Sequence, residues 1–223
     1  MSAAGSRSPV SRSGPSHALP PRPLPPRAAG AGIVLVGTST GGPPALEALL
    51  APLPAEFPWP IVVAQHMPAG FTEPLARRLN GLTALEVSEV AASAVLQPGC
   101  VYIARGDADI VISQLAEGLS AVSVPADRAY LWHPSADRLV RSAMAVVPAA
   151  QLAGVLMTGM GNDGAAAMAA LRAAGGRTIA EAESTAIVWG MPGELVRANG
   201  ADYVLPLPAI AARLAKLVPA DAA

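Results

Sequence analysis

Three polar residues, Ser39, His66 and Asp163, each stand just past a short apolar run, and their types are those of a nucleophile, a base and an orienting acid. Ile33-Val34-Leu35-Val36 leads into Gly37-Thr38-Ser39, and Ile61-Val62-Val63-Ala64 leads into Gln65-His66. Val155-Leu156-Met157 leads into Thr158-Gly159-Met160-Gly161-Asn162-Asp163. A serine hydroxyl is a poor nucleophile until a base takes its proton, and a neutral imidazole is the side chain best suited to take it near pH 7 and hand it to the leaving group. A carboxylate fixes the imidazole tautomer and stabilises the imidazolium that forms. Taken singly, each residue has a plainer role: Ser39 as a helix cap, His66 as a satisfied structural histidine, Asp163 as an Asx-turn residue. Their joint occurrence favours the hydrolytic set.

The turn around Ser39 narrows the chemistry further. Gly37-Thr38-Ser39-Thr40-Gly41 matches Gly-x-Ser-x-Gly, with an apolar strand before it and a helix start after it, the setting of a nucleophile elbow. A dinucleotide-binding turn needs Gly-x-Gly-x-x-Gly with an acid about 20 residues on, and a Walker loop needs a lysine after its last glycine. Gly37, Gly41 and Gly42 fit neither spacing, and no lysine follows.

These residues must be held by a scaffold, and the pattern around them is that of βαβ units on a mostly parallel sheet. Strands are expected at 33–36, 60–64, 101–104, 154–158, 178–180 and 203–205. Helices are expected at 44–53, 72–82, 135–147, 165–174, 193–199 and 209–217, with Pro43 and Pro44 in a first turn and Ser135 as an N-cap. Segments 109–113 and 119–124, joined through Glu117-Gly118, read as an inserted β-hairpin. The expected fold is α/β, doubly wound, with helices on both faces of the sheet. No internal repeat is evident. In such sheets ligands sit beyond the carboxyl ends of the strands, where Ser39, His66 and Asp163 fall.

Two units are expected along the chain. Residues 1–31 are rich in Pro, Ser, Ala and Arg and cannot bury a core, so they read as a disordered extension. Residues 32–223 read as one catalytic domain. With 223 residues, 52% of them hydrophobic, and a net charge of -1, the chain can build a sizeable core but offers no basic field for nucleic acid. No run of roughly eighteen apolar residues or signal-peptide pattern appears, so a cytoplasmic protein without membrane insertion is expected. The single Cys100 reads as a packed small hydrophobe, and the histidines at 17, 66 and 133 are too scattered for a zinc site; no cofactor or metal is expected.

The segments Ser39-Thr40-Gly41-Gly42, Gln65-His66-Met67-Pro68 and Thr158 to Gly164 together resemble the catalytic domain of CheB-type chemotaxis protein-glutamate methylesterases. The resemblance runs from about Gly32 to Leu217 and takes in Pro98 to Ala104, His133-Pro134-Ser135 and Gly190-Met191-Pro192. It implies nucleophile Ser39, base His66 and orienting Asp163. It further implies hydrolysis of glutamyl methyl esters on the cytoplasmic helices of a chemoreceptor, and deamidation of receptor glutamines. Backbone N–H groups at Thr40 and Met160 are the expected oxyanion donors, and a monomer is the expected state. Typical members carry an N-terminal receiver domain; here the Pro/Arg-rich segment stands in that place, so activity independent of phosphorylation is expected. The family usually has Arg where this chain has His133.

Two other functions fit parts of the pattern. An α/β-hydrolase acting on small esters would use Ser39, then Asp107 or Asp109, then His133, and would leave His66 without a role. A non-catalytic receptor-binding module would keep the fold alone.

Overall fold

The computed structural model describes residues 32–218; the expected extension lies outside the described residues. Ten strands and six helices follow in the order β1 (Ile33–Thr38), α1 (Gly42–Leu50), β2 (Ile61–Gln65), α2 (Thr72–Asn80), β3 (Glu86–Val90), β4 (Ser93–Val95), β5 (Cys100–Ala104), β6 (Ala108–Leu115), β7 (Gly118–Pro125), α3 (Ala136–Val146), β8 (Leu152–Leu156), α4 (Ala165–Ala173), β9 (Arg177–Glu181), α5 (Met191–Arg197), β10 (Tyr203–Leu205) and α6 (Leu207–Leu217). Seven strands form one parallel sheet in the order β10-β9-β8-β1-β2-β5-β3, and β4-β7-β6 form a small antiparallel sheet.

β1 shows why the apolar runs are unbroken. It lies between β8 and β2 with all six residues buried, so both of its faces must be apolar. Val34 and Val36 point into the core shared with Leu46, Leu79 and Leu214 of α1, α2 and α6. Ile33 and Leu35 point the other way, among Leu139, Met168 and Leu195 of α3, α4 and α5. From β1 the chain winds to β2 on one side, and from β8 it winds to β9 on the other. The β1–β8 seam is therefore the switch point, where an open α/β sheet leaves a crevice at its carboxyl edge.

Every strand and helix expected from sequence is present. Three helices begin earlier than expected: α1 at Gly42, α5 at Met191 and α6 at Leu207, with Pro43, Pro192 and Pro208 inside their first turns. A proline is tolerated there because its missing N–H would have had no intrahelical partner. β3 and β4 were not foreseen. β3 is an edge strand reading Glu-Val-Ser-Glu-Val, with Val87 and Val90 buried and Glu86 and Ser88 exposed, and β4 has three residues, so neither presents an apolar run.

Besides the core packing of Ile110, Ile112 and Ala121, the hairpin β6–β7 is held to the rest through Asp109. Its carboxylate is buried and accepts from the Ser135 amide (2.8 Å), His133 Nδ1 (3.1 Å), Arg138 Nη1 (2.6 Å) and the Asp127 amide (3.1 Å). Burial pushes this carboxyl up, but the bonds from Arg138, Asp127, His133 and Ser135 outweigh it and hold it below the ordinary carboxylate range. A carboxyl whose folded pKa lies below its unfolded value of about 3.9 stabilises the fold above that pH. The contribution disappears as pH falls through the lowered folded value. Asp109→Asn is thus expected to cost roughly 2–3 kcal/mol at neutral pH, the scale of hydrogen bonds to a charged group. Thermal unfolding of wild type and variant should show that gap closing on acidification below about pH 4.

Candidate active site

Ser39, His66 and Asp163 come together because β1, β2 and β8 are neighbours. The backbone ladder continues past the strand ends: the Ser39 amide donates to Thr158 O (2.9 Å) and the His66 amide to Thr38 O (3.0 Å). Gln65, fully buried, ties two of the turns together by donating Nε2 to both Ser39 O (3.0 Å) and His66 O (2.9 Å). Gly159 is pressed against the serine. A Cβ there would lie 2.8 Å from Ser39 Cβ and 2.3 Å from Met191 Sδ, so the turn after β8 can approach only as glycine.

The Asp163 carboxylate fills its acceptor sites with four donors. Oδ2 takes His66 Nε2 (2.8 Å) and the Ala136 amide (2.7 Å); Oδ1 takes the Ser135 hydroxyl (2.9 Å) and the Asp137 amide (3.0 Å). Ser135 is the N-cap of α3 and also accepts from the Arg138 amide, so Asp163 sits on the positive end of that helix. Asp137 returns the arrangement by accepting from the Ala167 amide in the first turn of α4, the helix that follows Asp163. Burial pushes the Asp163 carboxyl up, yet the bond from His66 and those from the Asp137 and Ala136 amides hold it below the ordinary range.

An ionised carboxylate at Nε2 requires that nitrogen to carry the hydrogen. The neutral tautomer of His66 therefore exposes its lone pair at Nδ1, and Nδ1 is buried with no hydrogen-bond partner. This is the reverse of the serine-protease arrangement, in which the acid binds Nδ1. The Trp132 ring lies parallel to the imidazole at 5.9 Å between centroids and packs against Gly161. His66 is thus walled on one side by an aromatic plane and pinned on another by a carboxylate.

Ser39 and His66 open into a cleft of about 440 Å³ lined also by Thr40, Gly41, Pro43, Gln65, Met67, Pro68 and Phe71. No Asp, Glu, Lys or Arg side chain lines it. The Ser39 hydroxyl makes no hydrogen bond within the described residues. Thr40 and Met160 are both exposed, Met160 at 72%, so neither is a core residue, and the helix cap is Gly41 rather than Ser39 or Thr40. Their amides are aimed by the carbonyls before them, because C=O and N–H of a trans peptide point in opposite directions. Ser39 O is held by Gln65 and the Gly42 amide; Gly159 O is held by the Gly190 and Met191 amides. The Thr40 and Met160 N–H groups consequently face away from those partners, and among the described residues no backbone hydrogen bond uses them.

The alternative set does not assemble around Ser39. Asp109 and His133 bond each other, but both belong to the Arg138 and Ser135 cluster described above, and Asp107 accepts from the Ala69 amide. Among the described residues no group of three or more His, Cys, Asp or Glu is placed to hold a metal ion, and no helix is long and apolar enough to cross a membrane. Gln65 and Trp132 are the site residues that sequence reasoning did not assign. Both flank residues it did assign, Gln65 next to His66 and Trp132 in the segment before Ser135, but their contacts depend on folding.

Comparison with known proteins places the sequence and the fold. The CheB methylesterase family model matches residues 34–214. A protein-glutamate methylesterase/protein-glutamine glutaminase of Rhodopseudomonas palustris is 59% identical over 192 residues, which are 86% of this chain and 52% of that protein. One from Rhodospirillum rubrum is 54% identical over 82% of this chain and 50% of its own length. The chain spans about half the length of these curated relatives. The crystal structure of the Thermotoga maritima CheB methylesterase catalytic domain superposes with a TM-score of 0.81 at 37% identity, covering 85% of this chain and all of that one. In sequence and in fold, the chain belongs to the CheB methylesterase family.

Proposed function

We propose that this domain is a serine hydrolase that removes methyl esters from glutamyl side chains of chemoreceptors, and that it also deamidates receptor glutamines. One observation carries the reading: an imidazole held through Nε2 by an ionised carboxylate, with Nδ1 buried and unpartnered in the same cleft as Ser39. The relatives' names, which pair esterase with glutaminase, support both substrates.

In this reading Ser39 Oγ attacks the side-chain carbonyl carbon while His66 Nδ1 takes the hydroxyl proton. The carbonyl oxygen becomes an oxyanion, which the Thr40 and Met160 N–H groups receive. Collapse breaks the C–O bond to methanol, or the C–N bond to ammonia, with the proton returned from His66 to the leaving group. Water then attacks the acyl-serine by the same proton relay and releases a glutamate carboxylate. The cleft suits a neutral ester or amide, since no cation lines it. The product bears a negative charge that nothing in the cleft retains. The partner is the cytoplasmic helical region of a receptor, whose side chains reach an open cleft edged by Met67, Pro68 and Phe71.

The direct test is methanol release from a methylated receptor fragment. Ser39→Ala and His66→Ala are each expected to lower it by 10³-fold or more with the fold intact, because nucleophile and base act as a unit. Asp163→Asn should cost about 10⁴-fold, since an amide no longer dictates the tautomer of His66. Full activity in a folded Ser39→Ala protein overturns the reading. The rate should also fall on acidification, because only a neutral imidazole accepts the serine proton. The pH–rate profile of methanol release checks this.

A further inference from the structure

Thr158 has all its polar atoms engaged. Its carbonyl accepts from the Ser39 amide (2.9 Å) and the Thr38 hydroxyl (3.0 Å). Its hydroxyl donates to Thr40 O (2.8 Å) and accepts from the Val188 amide (3.0 Å). Its amide donates to Glu181 Oε2 (2.8 Å). One residue at the end of β8 thus holds three consecutive residues of the Ser39 turn, while the residue after it, Gly159, begins the turn that carries Met160.

Glu181 anchors this residue from behind. It is fully buried at the end of β9, its Oε1 accepts the Thr185 hydroxyl (3.0 Å), and its backbone carbonyl accepts Trp189 Nε1 (2.9 Å). The Thr185 hydroxyl in turn accepts the Leu207 amide (3.0 Å) at the start of α6. No hydrogen bond or ion pair to a cationic side chain accompanies this carboxylate among the described residues. It acts through the directions of its acceptor oxygens.

We propose that Thr158, backed by Glu181, is a positioning residue that fixes the spacing and tilt of the Ser39 turn relative to the Met160 turn. The inference rests on the reading of Ser39 as nucleophile with Thr40 and Met160 as oxyanion donors. Those two donors come from different strands, so their spacing is set only by what joins β1 to β8 beyond the sheet. Thr158 makes three such joints, to the Thr38 hydroxyl, the Ser39 amide and Thr40 O, and the bond from its hydroxyl to Thr40 O is the one made by its side chain. It also fixes the Thr40–Gly41 peptide, which adjoins the Ser39–Thr40 peptide that carries the Thr40 N–H. Loss of the hydroxyl lets the donors drift relative to each other, and a misplacement of about 1 Å costs on the order of 10²-fold in rate.

The test compares Thr158→Val, Thr158→Ser, Glu181→Gln and Glu181→Leu in the full chain. Methanol release gives kcat and KM, and the rate of Ser39 labelling by a serine-directed fluorophosphonate gives a second readout independent of the receptor. Thr158→Val is expected to lower kcat and the labelling rate by about 10²-fold with KM within about twofold. The pH profile should keep its position, since His66 and Asp163 are untouched. Thr158→Ser restores most of the rate because the hydroxyl returns. Glu181→Gln retains most of it because Oε1 of glutamine still accepts the Thr158 amide, while Glu181→Leu loses rate as Thr158→Val does. A folded Thr158→Val protein with undiminished kcat overturns the proposal, even if its melting temperature falls. So does equal damage from Thr158→Ser, or a Glu181→Gln loss as large as Glu181→Leu. If Glu181→Leu does not fold, the two threonine variants decide. A wild-type Ser39 that resists the probe overturns the reading of the site itself, and this inference with it, an outcome distinct from an active wild type with an unaffected Thr158→Val.

Discussion

The carboxylate of Asp163 is the constraint on which the rest of the site depends. It is buried, and a buried charge is tolerated only when its acceptor sites are filled. The chain fills them with two amides and a cap hydroxyl from the start of α3, leaving one direction for an imidazole. The helix would need a cap regardless, so the same bonds that start α3 keep the acid ionised. The α3–α4 corner repeats the device: Asp137 caps α4 while Asp163 caps α3, so neither helix can shift without disturbing the other's first turn. Burial pushes the Asp137 carboxyl up, and the nearby Asp163 charge adds to this against the pull of the Ala167 amide. The two acids are therefore shifted in opposite directions, and the one facing the imidazole is the one held below the ordinary carboxylate range.

Tautomer and topology follow from that constraint. A carboxylate on Nε2 leaves Nδ1 as the nitrogen with the unpartnered lone pair, and the parallel order β8-β1-β2 sets Ser39 between the strands that carry Asp163 and His66. Any fold that put these three strands out of adjacency would separate the residues. The hairpin contributes indirectly. Asp109 grips the Ser135 amide, so β6 helps to hold the segment from which Asp163 draws three of its four donors.

Most of the fold was legible in the sequence because strands buried on both faces must be apolar throughout, as in Ile33 to Val36 and Ile61 to Ala64. Edge strand β3 was not, since only Val87 and Val90 among its five residues are buried. Ser39, His66 and Asp163 were legible as a set because each ends an apolar run. The connections among them were not. That His66 would be bound through Nε2, that Gln65 would bridge two turns, and that Trp132 would lie parallel to the imidazole all depend on residues far apart in the chain. No periodicity or spacing encodes such contacts. Asp109 and His133 were an instructive near miss: they do form a histidine–carboxylate pair, but that pair belongs to the hairpin's attachment.

The start of α1 has a consequence for selectivity among small anions. A helix that begins beside an active-site serine would ordinarily offer several free N–H groups to any phosphate or carboxylate nearby. Here Pro43 and Pro44 remove two of them, and the Gly42 amide is spent on Ser39 O. What remains can greet a single oxygen arising on a bound carbonyl but cannot cradle a three-oxygen anion. The first turn of α1 is thus left without the row of amides on which a phosphate is usually held.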